Sequence, residues 1–226
     1  MLFPELESRV AEVRSRIRSA VERGGRGQTV TIVAVTKTHG AEAVLAAREA
    51  GLTDVGENRV QEALSKMDEV SVPMRWHLIG HLQRNKVKSL DRFALFHALD
   101  SARLADAVSA FGCERGRAVE VLVQVNVAGE ATKGGFSPTE LEEQMVKLGA
   151  LDGLTVIGVM TMAALGADEK ELRLTFGGAR EALAVAKSAG HPASELSMGM
   201  SDDYEIAVEE GATMVRLGTT LFGARE

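Results

Sequence analysis

The sequence predicts a TIM-type (β/α)8 barrel preceded by one extra helix. Three observations carry this. Apolar, β-branched runs alternate with amphipathic segments along the chain, giving eight strand candidates. Several, such as TIVAV and VLVQVNV, are almost continuously apolar, as parallel strands covered on both faces must be. The length also fits, because setting aside the first ~24 residues leaves about 25 per strand–helix unit, the short end for such barrels. There is no room for a second domain, so residues 1–226 are expected to form one unit. A doubly wound open sheet is the competing arrangement.

Leu2, Leu6, Val10, Val13, Ile17 and Val21 recur at helical spacing, so residues 2–23 read as the N-terminal helix. Gly24, Gly25 and Gly27 end it. The strand candidates are Thr29–Thr36, Thr53–Gly56, Arg75–Ile79, Phe93–Leu99, Val119–Val127, Leu154–Met160, Glu195–Met198 and Thr213–Leu217. Helical segments separate them at Ala41–Ala50, Arg59–Val70, Ala102–Arg115, Ser137–Leu148, Glu169–Ala189 and Asp202–Glu210.

Composition narrows the function classes. A net charge of −6 and a content of 7 Phe, 1 Trp and 1 Tyr argue against a nucleic-acid partner. No run approaches the ~20 apolar residues that span a bilayer, so no membrane partner is expected. The N-terminus has no apolar core like that of a signal peptide. A single cysteine, Cys113, allows no internal disulfide and fits a reducing, cytoplasmic setting.

Chemistry-bearing residues fall at the ends of strands, where barrels build their sites. Lys37 ends the first strand in VAVTK. A lysine there can form a Schiff base with an aldehyde, which requires the neutral amine. At a pKa of ~10.4 only about one amine in 2,500 is neutral at pH 7, and desolvation lowering it by ~3 raises that to nearly a third. The bland alternative is a lysine snorkelling out of the rim. Asn58, in GENR after the second strand, can hold a phenolic or carbonyl oxygen or cap a helix. His77 and His81, four apart, invite a metal reading, but the segment reads as strand then turn and lacks a zincin glutamate. A polar cluster at the mouth is the expectation, with no metal. Arg84, Lys86 and Lys88 face solvent or an acidic partner.

The last two units carry an anion signal. Ser201 follows the seventh strand and reads as a helix N-cap. Gly218 and Thr219 follow the eighth, and loops after strands seven and eight commonly hold phosphate in these barrels. Ordinary strand-to-helix turns are the alternative. Arg216 lies within a strand that should be buried, so its guanidinium needs a carboxylate or a ligand atom. Asn126, Glu130, Lys133 and Gly135 lie in a loop after strand five that is long and polar enough for a lid. Met160 reads as packing. No dinucleotide or P-loop fingerprint and no GxSxG elbow is present. A strand-end lysine, a phosphate cup and a buried arginine together point to an aldehyde bearing a phosphate. Pyridoxal 5′-phosphate is the common example, with its aldehyde on Lys37, its phosphate on Ser201, Gly218 and Thr219, and its ring nitrogen facing Arg216.

The pieces AVTKTHG, VGENRVQEA, WHLIGHLQRNK, QVNVAGEATKGGF, GLTVIGVMTM and LSMGMSDDYEIAVEEGATMVRLGTTLFGAR cover nearly the whole chain. In them the sequence resembles the pyridoxal phosphate homeostasis protein family, related to the N-terminal barrel of alanine racemases. The resemblance implies a fold-type-III barrel with the cofactor on Lys37 and contacts from Asn58, Met160, Ser201, Arg216, Gly218 and Thr219. It implies a carrier and buffer of the cofactor in vitamin B6 and amino-acid homeostasis. Racemases continue into a β-domain with a catalytic tyrosine. Here the sequence given ends after the barrel, and its one tyrosine, Tyr204, is poorly placed as a second base. A monomer without catalytic turnover is therefore expected, with apo forms of pyridoxal-phosphate enzymes as recipients. An amino-acid racemase using Lys37 as a base is the alternative.

Overall fold

The computed structural model describes residues 3–130 and 134–223. Eight parallel strands close into a barrel in sequence order, β1 beside β8. They are β1 Thr31–Val35, β2 Asp54–Glu57, β3 Arg75–Leu78, β4 Leu95–Leu99, β5 Val119–Gln124, β6 Leu154–Met160, β7 Glu195–Ser197 and β8 Met214–Leu217. The helices are α1 Leu6–Gly24, α2 Ala41–Glu49, α3 Val60–Glu69, α4 Ala102–Glu114, α5 Leu141–Gly149, α6 Glu169–Ser188, α7 Tyr204–Glu209 and α8 Thr219–Phe222. The open-sheet alternative is excluded by the β1–β8 pairing, in which Val33 aligns with Arg216.

α1 is amphipathic for a physical reason. Leu6, Val10, Val13, Ile17 and Ala20 bury one stripe, and the arginines between them stay outside. Gly25, in the left-handed region at φ 64°, closes it. Leu2 lies outside the described residues. The outward strand faces pack on the helices, and Phe96, Leu122, Phe176 and Leu196 are fully buried. Among the described residues no helix is long and apolar enough to cross a membrane.

Between β3 and β4 the segment Arg84–Arg92 winds into a 3-10 helix. Two expectations change. β5 stops at Gln124 because the next residue, Val125, bridges Phe136 across its own loop. α7 begins at Tyr204, with Asp203 at the N-cap, so Ser201 is not its cap.

α7 is stitched to its neighbours by charge. Arg16 and Arg23 of α1 reach Glu205, Arg23 also reaches Glu209, and Arg173 and Arg180 of α6 reach Glu209 and Glu210. Each pair is weak by itself, because the arginine heads are in water that screens them. Their common effect is to fix the helix that follows the Ser201 loop.

Candidate functional site

The predicted site residues sit at the carboxyl ends of their strands, on one rim. Lys37 lies two residues past β1, and Asn58 follows β2. Met160 ends β6, Ser201 follows β7, and Gly218 and Thr219 follow β8. Because β1 pairs with both β2 and β8, the Lys37 loop is flanked by the Asn58 and Gly218 loops. The His39 ring packs against Phe222 of α8 at 5.3 Å, tying the Lys37 loop to the turn after β8. Gly80 passes so close that a Cβ there would lie 2.2 Å from the Asn58 carbonyl oxygen, which fixes the backbone of Asn58.

Ser201 has a different role from the expected cap. Its Oγ accepts from the Thr220 amide at 3.2 Å, and Thr220 Oγ1 donates to the Ser201 carbonyl at 3.3 Å. The two loops after β7 and β8 are thereby clasped into one surface. α8 starts at Thr219, whose amide, in the first turn, has no partner inside the helix. Met160 is buried at 1% exposure, so it can touch a ligand only from within the mouth.

Arg216 is buried as predicted, but no carboxylate bonds it. Its Nη1 donates to Ser197 Oγ at 2.7 Å and its Nη2 to the Thr161 carbonyl at 3.0 Å. Burial lowers its pKa to about 10, opposed by the charge of Asp203. A guanidinium has five N–H donors, of which these bonds use two, and the residue keeps 5% exposure.

Lys37 itself is exposed, so the chain alone does not enclose its amine as expected. Its backbone, however, is rigidly set. Thr38 takes φ 69°, a conformation costly for a β-branched residue. Glu62 accepts the Thr38 amide. The buried Lys66 ammonium donates to the Thr36 carbonyl at 2.7 Å, to Glu57 at 2.6 Å and to Glu62 at 3.0 Å. Burial pushes the Glu57 carboxyl up, against the hydrogen bonds from Lys66 and Thr36.

The two histidines separate. His77 points into the barrel and is fully buried, whereas His81 is on the surface, bonded to Asp100 at 2.8 Å. They form no common cluster at the mouth, and among the described residues no group of three His, Cys, Asp or Glu could hold a metal. Lys88 pairs with Glu114. In the loop after β5, the Asn126 side chain donates to the Glu130 carbonyl at 2.8 Å, and Lys133 lies outside the described residues. Tyr204 is buried beneath Arg16 of α1, on the helix layer.

Sequence reasoning missed Asp54, Lys66, His97, Thr161, Ser197 and Asp203. His97 carried a signal. In LFHAL it breaks an apolar strand on the same face as Leu95 and Leu99.

Fold and rim together define a class, the barrel that opens the alanine racemases. The family model for the alanine racemase N-terminal domain matches residues 9–226. An alanine racemase from Corynebacterium glutamicum shares this fold at 18% identity, with a TM-score of 0.73 over 93% of this chain and 60% of that one. A pyridoxal phosphate homeostasis protein from Aquifex aeolicus is 40% identical over 222 residues, 96% of this chain and 97% of its own length. PipY of Synechococcus elongatus, solved with pyridoxal phosphate bound, is 35% identical with a TM-score of 0.85, covering 96% of this chain and 100% of that one. The chain belongs to the pyridoxal phosphate homeostasis protein family.

Proposed function

We propose that this chain binds pyridoxal 5′-phosphate on Lys37 and buffers and carries it, without catalytic turnover, for delivery to apo forms of enzymes that need it. The setting is the cytoplasm and the working unit a monomer. One observation carries the reading: a buried Arg216, held by Ser197 and Thr161 with no bonded carboxylate and with donors to spare, one strand away from the loop that bears Lys37. The residues present fit the group. Pyridoxal phosphate supplies an aldehyde that couples reversibly to amines.

The chain's own residues then divide the work. Lys37 offers its amine from a backbone that Lys66, Glu57 and Glu62 hold in place. Arg216 donates to the ring nitrogen, which disfavours a proton there and weakens the ring as an electron sink. Ser201, Gly218 and Thr219 receive the phosphate through hydroxyl and amide donors on the clasped loops. Asn58 would hold the phenolic oxygen, and Met160 would contact the ring from within the mouth. Tyr204, held under Arg16, is not available opposite Lys37, which favours carriage over racemisation.

The test is the visible absorbance of the purified full chain, mixed with pyridoxal phosphate, before and after borohydride. A yellow protein that becomes irreversibly labelled at Lys37 is expected. Labelling undiminished in Lys37→Ala overturns the assignment. Cofactor-dependent racemisation of any amino acid, lost in the same variant, would establish the enzyme instead.

A further inference from the structure

Inside the barrel, four side chains that the cofactor reading does not use make one continuous line. Ser197 Oγ lies 2.7 Å from Arg216 Nη1 and 3.0 Å from His97 Nδ1. His97 Nε2 lies 2.8 Å from His77 Nδ1, and His77 Nε2 lies 2.9 Å from Asp54 Oδ1. His77, His97 and Ser197 are fully buried, and Asp54 is 4% exposed. The line runs from Arg216 on β8 through β7, β4 and β3 to the first residue of β2. There Asp54 meets Thr53 and Arg75 and lines a cavity of about 560 Å³ at the opposite end of the barrel from Lys37.

With both imidazoles neutral, the chemistry of the two ends orders every hydrogen between them. Arg216 can only donate, and an ionised Asp54 can only accept. Burial pushes the Asp54 carboxyl up, but the hydrogen bonds from His77 and Thr53 and the charge of Arg75 outweigh it and hold it below its ordinary value. His77 must therefore carry its hydrogen on Nε2 toward Asp54, which leaves Nδ1 bare. His97 must fill that gap with its own Nε2–H and keep Nδ1 bare. Ser197 then gives its hydroxyl hydrogen to His97 and turns its lone pairs to Arg216. Each bond holds one hydrogen, and all the dipoles point the same way. A cationic His97 is disfavoured by burial and by the charge of Arg216.

We propose that Asp54, His77, His97 and Ser197 form a proton-ordered relay that aims the Arg216 guanidinium and holds it as a fixed donor to the ligand at the mouth. They are positioning residues acting through Arg216. Hydrogen bonds polarised in one direction strengthen one another in a dry interior. Arg75 faces the line at its start and Asp203 near its end. The line thus joins the buried arginine to a second carboxylate, at the far end of the barrel, besides Asp203. The inference rests on the cofactor reading only in naming what Arg216 holds.

Two measurements on the full chain test it. Nitrogen NMR of the histidine rings in the protein without added vitamer is expected to show His77 and His97 as neutral Nε2–H tautomers. An Nδ1–H form or an imidazolium at His97 overturns the order. Asp54→Asn keeps the volume, but its amide can donate as well as accept, so the order is no longer imposed. A second tautomer should appear, and the Kd for pyridoxal phosphate should rise about five- to tenfold, the lower range for coupled sites. Unchanged affinity overturns the coupling whatever the tautomers do. A wild-type chain that takes up no pyridoxal phosphate sinks the cofactor reading, and the nitrogen shifts then decide the relay alone.

Discussion

The Lys66 ammonium lies 2.7 Å from the carbonyl oxygen of Thr36, the residue before Lys37, and 2.6 Å from Glu57. A buried cation therefore grips the backbone that presents the candidate cofactor lysine. Removing one partner of a buried pair strands the other, at about 3–5 kcal/mol. Lys66→Met is expected to lower the urea-unfolding free energy by that order, and Lys66→Met with Glu57→Gln to recover most of it. Equal stability of the single and double variants would contradict the pairing.

What the sequence disclosed and what it hid divide along one line. The barrel was legible because apolar periodicity is a local signal, and Leu154–Met160 matches β6 at both ends. The rim residues were legible because lysine, glycine and serine at strand ends stand out from the runs before them. The interior was not. Ser197 and Thr161 meet Arg216 from positions 19 and 55 residues away, a distance no spacing pattern encodes. Lys66 was hidden differently. On a helix with charged neighbours it reads as solvated, yet it is buried beneath the Thr36 backbone. His77 and His81 were grouped by separation in sequence, and a strand that ends between them sends one inward and leaves the other outside.

Ser201 should matter to the phosphate and not to the ring. Its Oγ holds the Thr220 amide, so Ser201→Ala loosens the clasp between the last two loops. The hydroxyl's own hydrogen bond to the charged phosphate is worth about 1.5–3 kcal/mol. Affinity for pyridoxal phosphate is expected to fall tenfold or more, on the order of that energy, while unphosphorylated pyridoxal binds as before. Equal losses for the two vitamers, read by absorbance titration, would place Ser201 elsewhere.

His97 makes stability depend on pH in a known direction. Burial, with the charge of Arg216, holds its pKa well below 6.5. The unfolded chain takes up a proton below about pH 6.5, and the folded chain does not. The stabilisation is whole above that pH and is lost as pH falls toward the folded value. The slope from this residue approaches about 1.4 kcal/mol per pH unit. Urea midpoints between pH 7 and pH 5 should decline less steeply in His97→Gln than in the wild type, and parallel curves would refute the assignment.

Gly80 tests whether the Asn58 backbone must stay where it is. A Cβ at Gly80 would meet the Asn58 carbonyl oxygen at 2.2 Å and its Cα at 2.8 Å, and backbone cannot swing aside as a side chain can. Gly80→Ala is expected to cost about 1–3 kcal/mol as overpacking and to weaken pyridoxal phosphate binding by moving Asn58. Gly116→Ala is the control. Gly116 has φ 68° and open space around it, so alanine there costs only the strain of a left-handed backbone, about 1–2 kcal/mol. It lies after α4, away from the rim, and should leave binding unchanged. If the two variants lose similar stability but only Gly80→Ala loses affinity, the contact between the loops after β2 and β3 positions the site. If both keep wild-type affinity, Asn58 does not hold the ligand.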